Sequence, residues 1–125
     1  MAKLRHIALI VEDPDATAAF FEAAFGMTRC GDAWYGCHMS DGVVSVALLR
    51  KETDEEVVGI HHFGALVDDL GAASEQVVAA GATPLGENKP GNAAFYEAKF
   101  TSPDGIVFDL SQTGWPGMNI APQDG

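Results

Sequence analysis

Two histidines and an aspartate hold related positions in this chain, and their side chains can bind protons or a divalent ion. His6 opens the run His-Ile-Ala-Leu-Ile-Val-Glu-Asp at 6–13, and His62 opens His-Phe-Gly-Ala-Leu-Val-Asp-Asp at 62–69. Asp109 follows four residues after the Gly of Ser-Pro-Asp-Gly-Ile-Val-Phe-Asp-Leu at 102–110. Glu97 and Lys99 stand two apart in Phe-Tyr-Glu-Ala-Lys-Phe at 95–100, so on a strand they share a face. A carboxylate so placed can accept a proton, and an ammonium can anchor an anion. The plainer reading of the two is an ion pair between neighbouring strands.

The elements that carry these groups repeat. Each histidine run predicts a strand, and each is followed by a helical pattern. In the first, Ala16, Ala19, Phe20, Ala23 and Ala24 recur at helical spacing, with Asp13 as cap, Pro14 in the first turn and Gly26 as stop. In the second, Asp69 caps, Leu70, Ala73, Val77 and Ala80 form the stripe, and Gly81 ends it. Asp41-Gly42-Val43-Val44 answers Asp104-Gly105-Ile106-Val107, and each Asp-Gly reads as a hairpin turn. The module is strand, helix, strand, strand, strand, used twice, over about 1–52 and 58–113. The polar segment 51–56 is the linker, and the tail 114–125 is irregular. The offset between modules grows from 56 residues at the histidines to 63 at the Asp-Gly pairs, which assigns 86–92 to a loop.

Alternation then sorts the side chains. Ile7, Leu9 and Val11 go to the helix side of their strand, as do Phe63, Ala65 and Val67, then Tyr96, Ala98 and Phe100, then Ile106, Phe108 and Leu110. His6, His62 and Asp109 go to the other side, with Glu97 and Lys99. If the modules pair their sheets, these groups meet in one hollow. By the same alternation Trp34, Gly36 and His38 face it, Trp34 as an apolar wall and His38 at the rim. The expected architecture is α+β, two βαβββ modules forming one cupped mixed sheet with the helices outside, in a single domain.

Composition narrows the function. The net charge of −11 argues against nucleic acid and anionic membranes as partners. No apolar run nears the roughly 18 residues of a membrane span. The start Met1-Ala2-Lys3-Leu4-Arg5 lacks the features of a secretory leader, so a cytoplasmic location is expected. Cys30 and Cys37 do not form a CxxC pair and are read as reduced thiols. No P-loop, GxGxxG, GxSxG or HExxH motif is present.

The three motifs at 6–13, 62–69 and 102–110 together resemble the vicinal oxygen chelate superfamily of glyoxalases, bleomycin-resistance proteins and dioxygenases, over residues 4–112. The resemblance implies a divalent metal (Fe, Zn, Mn or Ni) and a small substrate that chelates it through neighbouring oxygens. His6 and His62 match the family's ligands on the first and fifth strands. Asp109 stands where the family usually has Glu. The fourth-strand ligand of glyoxalase-like members would fall at Val46, which cannot ligate, so Val46 is left to line the substrate site. Two histidines and one carboxylate match the facial triad of non-haem iron enzymes. The leading expectation is a lyase or isomerase in which Glu97 moves a proton, with Lys99 beside it. The alternatives are an iron(II) dioxygenase and a non-catalytic protein that sequesters a drug or metabolite. The resemblance also implies a homodimer.

Overall fold

The computed structural model describes residues 2–88 and 97–118. Among them lie eight strands and two helices in the order β1 (Lys3–Val11), α1 (Pro14–Phe25), β2 (Thr28–Ala33), β3 (Gly36–Ser40), β4 (Ser45–Arg50), β5 (Gly59–Leu66), α2 (Leu70–Ala79), β6 (Thr83–Asn88), β7 (Glu97–Thr101) and β8 (Val107–Ser111). This is the α+β, twice-used βαβββ architecture that the repeat predicts. The chain divides into two compact units, one of His6–His61 with Trp115–Gly125, the other of Met1–Arg5 with His62–Gly114.

In the first unit the strand order is β2-β3-β4-β1. β1 runs parallel to β4, with His6 opposite Ser45 and Ala8 opposite Ala47, and the other pairs are antiparallel. Asp13 caps α1 by accepting from the backbone N–H groups of Asp15 and Ala16, and Gly26 at φ 68° closes it. Gly supplies that left-handed turn without a Cβ clash. The core is Val11, Ala18, Cys37, Met39, Val46 and Leu48, flanked by Leu9 and Phe21. The helix face differs from the expected stripe. Pro14, Ala18 and Phe21 turn inward, whereas Ala16, Ala19, Phe20, Ala23 and Ala24 are exposed. The helix is apolar nearly all round, so two stripes compete, and packing against β3 and β4 chooses between them.

In the second unit the order is β5-β8-β7-β6, with β5 parallel to β8. The core is Ala65, Val67, Ala98, Phe100, Phe108 and Leu110, and Phe108 stacks on both Phe63 and Phe100 at about 5.5 Å. Leu70, Ala73 and Val77 of α2 pack on it as the stripe predicts, while Ala80 is exposed. Ile106 is corrected: it precedes β8 and is 52% exposed, because the turn holds it outside the ladder. Residues 86–88, expected in a loop, extend β6, and 89–92 lie outside the described residues, as do Phe95 and Tyr96. Residues 51–56 of the expected linker and 114–118 of the expected tail contain neither helix nor strand, and 119–125 lie outside the described residues. No described helix is long and apolar enough to cross a membrane.

Candidate functional site

The second unit gathers four of the expected groups on the face opposite α2. Register does this. Gly64 of β5 and Lys99 of β7 are the cross-strand partners of Asp109 on β8. His62, two residues before Gly64, shares that face. Asp109 is fully buried. Its Oδ1 accepts from Lys99 Nζ at 2.9 Å, and its Oδ2 lies 3.0 Å from His62 Nε2. Lys99 Nζ is also 3.6 Å from Glu97 Oε2. Burial pushes the Asp109 carboxyl up, but the imidazole of His62 and the ammonium of Lys99 outweigh it and hold it below the usual range. The Lys99–Asp109 link is a contact that sequence reasoning missed, because it depends on which residues of β7 and β8 stand opposite. His61, one residue from His62, points the other way and is exposed.

Asp109 Oδ2 is buried and has no aligned hydrogen-bond donor among the described residues, although His62 Nε2 is close. Two ligand atoms held about 2.1 Å from one ion at a right angle are themselves about 3 Å apart, and their lone pairs point at the ion rather than at each other. Imidazole nitrogen and carboxylate oxygen are ordinary ligands for zinc, iron and manganese. This pair therefore fits a divalent ion.

The first unit presents a buried polar row opposite α1. His6, Ser45, His38 and Ser40 are all under 9% exposed, and the registers place them on one face. His38 Nδ1 is 3.4 Å from Ser45 Oγ. Burial pushes the His38 imidazole down to about 4, so at neutral pH it is uncharged. It sits inside rather than at a rim. His6 stacks on Trp115, with ring centroids 4.7 Å apart and planes 9° from parallel. The tail containing Trp115 carried no expectation of function. Its only signal was an aromatic residue inside Gly-Trp-Pro-Gly.

Two expected residues are corrected here. Trp34 is 78% exposed in the turn between β2 and β3, where strand alternation does not apply. Val46 belongs to the helix-side core with Met39 and Leu48. The cause is turn length. Ser40 pairs with Ser45 across residues 41–44, whereas Thr101 pairs with Val107 across 102–106. The second turn is one residue longer, so the strands beyond it match at an offset of 62, not 63. Ala47, not Val46, is the equivalent of Asp109, as the parallel pairs Ala8–Ala47 and Gly64–Asp109 also require. Val46→Glu is therefore expected to lower stability by roughly 3 kcal/mol or more, since it puts a carboxyl into an apolar core. Denaturant melts check this, and a variant as stable as the parent would place Val46 away from the core.

The model of the Glyoxalase/Bleomycin resistance protein/Dioxygenase superfamily matches residues 3–110. No curated protein matches the chain by sequence. Among solved structures, methylmalonyl-CoA epimerase from Mycobacterium tuberculosis is similar at 17% identity and a TM-score of 0.70, over 86% of this chain and 85% of that one. Methylmalonyl-CoA epimerase from Streptomyces coelicolor, in complex with 2-nitronate-propionyl-CoA, gives 18%, 0.71, 86% and 94%. A hypothetical protein from Bacillus halodurans C-125 gives 17% and 0.71, over 99% and 98%. At these identities the likeness speaks for the fold.

Proposed function

The chain belongs to the Glyoxalase/Bleomycin resistance protein/Dioxygenase superfamily, and from that premise we propose that it is a divalent-metal-dependent enzyme of the lyase or isomerase type. Its substrate is a small molecule with neighbouring oxygens, and His6, His62 and Asp109 are the metal ligands. The observation that carries this reading is Asp109, with one oxygen held by Lys99 and the other beside His62 without an aligned donor. His6 joins the set as the repeat partner of His62, 56 residues earlier on the equivalent strand. Ala47, at the repeat position of Asp109, offers only a methyl group, so three protein ligands leave room for substrate oxygens.

When bound, the ion supplies Lewis acidity to a substrate oxygen that gains negative charge. The chain does the rest. Lys99 donates to Asp109 Oδ1 and so keeps Oδ2 turned toward His62. An ammonium has three N–H groups, so one remains for an anionic substrate. Glu97, its side chain only 14% exposed, takes a proton from the carbon next to the substrate carbonyl and returns it. The epimerases that share the fold support an isomerase over a lyase. The protein acts as a homodimer, a reading supported by the exposed Val57, Val58 and Ile60.

Incubation with methylmalonyl-CoA, and separately with the thiol adduct of a 2-oxoaldehyde, in deuterated water tests the reading. Deuterium should enter at the carbon next to the carbonyl. Glu97→Gln should slow that exchange by about 10²–10⁴-fold with metal content unchanged. Lys99→Met should mainly raise KM for an anionic substrate. Full exchange in Glu97→Gln would remove Glu97 from the mechanism. The count of two histidines and one carboxylate also favours a second reading, iron(II) dioxygenation. Oxygen uptake with catechols, and no proton exchange, would select it. Protein that takes up no divalent ion would instead act as a sequestering protein.

A further inference from the structure

The C-terminal segment seats an aromatic plate on His6. Trp115 is 5% exposed and His6 4%, and their rings stack nearly parallel. A centroid distance of 4.7 Å with near-parallel planes is the offset arrangement that aromatic rings prefer. The segment that carries the plate is tied down just after it. Ser40 Oγ donates to Gly117 O at 2.6 Å and accepts from Gly42 N at 2.8 Å. The backbone N–H of Trp115 donates to Met118 Sδ at 3.2 Å. Gly117 has φ 87°, and a Cβ there would lie 2.5 Å from both Cys30 Sγ and Ser40 Cβ, so the backbone sits closer to the sheet than any other residue would permit. The strap is thus built against β2 and β3 rather than draped over them.

We propose that Trp115 is a positioning residue for His6, which fixes the plane of its imidazole for ligation. The inference rests on the reading of His6 as a metal ligand. Imidazole lone pairs lie in the ring plane, at the edge. A partner on the ring face therefore does not cover the ligating edge, and it removes the rotation that would swing that edge off target. Histidine ligands are ordinarily oriented by a hydrogen bond to the second nitrogen. Stacking does the same work through the ring face.

The test uses the full chain in three forms: parent, Trp115→Phe and Trp115→Leu. Leu keeps an apolar side chain but removes the planar partner. Near-ultraviolet dichroism and denaturant melts establish that each folds. Affinity for Zn²⁺ and Co²⁺ is read by calorimetry, and the order of the His6 ring by NMR relaxation and by the upfield shift of its carbon-bound protons. Trp115→Leu should weaken the ion about tenfold, the lower end of what removing an orienting partner costs a ligand histidine. It should also lose the upfield shift and loosen the ring. Trp115→Phe should restore most of both. Equal ion affinity in the parent and in folded Trp115→Leu overturns the proposal while leaving the metal reading intact. A parent that binds neither ion sinks the metal reading instead. The His6 signals then decide whether Trp115 holds the ring, and an equally ordered ring in Trp115→Leu rejects that too.

Discussion

Asp109→Ala is expected to abolish divalent-ion uptake and to remove about 3 kcal/mol of stability in the same step. Its carboxylate is fully buried, 2.9 Å from Lys99 Nζ and 3.0 Å from His62 Nε2. Deleting one partner of a buried ion pair costs about 3–5 kcal/mol, because the other charge stays desolvated. The lower end applies, since the Lys99 side chain is 27% exposed and can turn toward water. Against a total of roughly 5–15 kcal/mol for a domain, that is a large loss. Asp109→Asn separates the two effects. Its amide oxygen can still accept from Lys99, so most of the stability should remain, while ion uptake should fall with the charge. Removing both charges, as in Asp109→Leu with Lys99→Met, should recover part of what Asp109→Ala loses. Denaturant melts at neutral pH and metal analysis after dialysis read the two quantities. If Asp109→Ala binds zinc as tightly as the parent, Asp109 is not a ligand and the proposed function loses its carrying observation.

The pH dependence of this group has a definite sign. The folded Asp109 carboxyl titrates below its ordinary value. Its contribution is therefore fully present above about pH 4, the unfolded carboxylate range, and is lost only as pH falls below that toward the folded value.

What could be read from the residues was what alternation and short motifs carry. His6 and His62 each hold the fourth place on the equivalent strands β1 and β5, and Leu9 and Val11, like Ala65 and Val67, are in the two cores as expected. Asp109, Glu97 and Lys99 share a face because period-two alternation places them there. Local patterns do not determine a one-residue shift that something nonlocal decides. The Asp-Gly pairs align by eye, but turns of unequal length move the alignment by one, and one residue on a strand exchanges core for site. That shift is what separates Val46, in the core, from Ala47, on the site face. Trp34 lies in a turn, where the alternation of the neighbouring strands no longer sorts side chains. The α1 stripe is ambiguous in sequence because a helix rich in Ala and Phe offers more than one apolar face. The Lys99–Asp109 pair and the Trp115–His6 stack needed cross-strand register and a chain return, and neither leaves a local trace.

His38 supplies the other large effect, and it lies in a different pH window. Burial lowers its pKa to about 4 from an ordinary 6.5, so the folded state resists a proton that the unfolded chain accepts. Stability from this source is complete above pH 6.5 and falls as pH drops toward 4. At 1.36 kcal/mol per unit the loss is on the order of 3 kcal/mol, and at 8% exposure solvent screens little of it. The chain holds four histidines, so the parent alone does not isolate this one. The difference between the parent and His38→Gln isolates the group, because glutamine keeps a polar atom within reach of Ser45 and has no proton to gain. The unfolding free energy of the parent should drop more steeply than that of His38→Gln between pH 6.5 and 4, and the two should run parallel above 7. Parallel curves throughout would mean that water reaches the His38 ring. The consequence for function follows from the same burial. Since His38 shares a face with His6 and is uncharged at neutral pH, it adds no positive charge to compete with an ion there, which a protonated imidazole would do. Acidification toward pH 4 should therefore weaken ion binding by more in the parent than in His38→Gln.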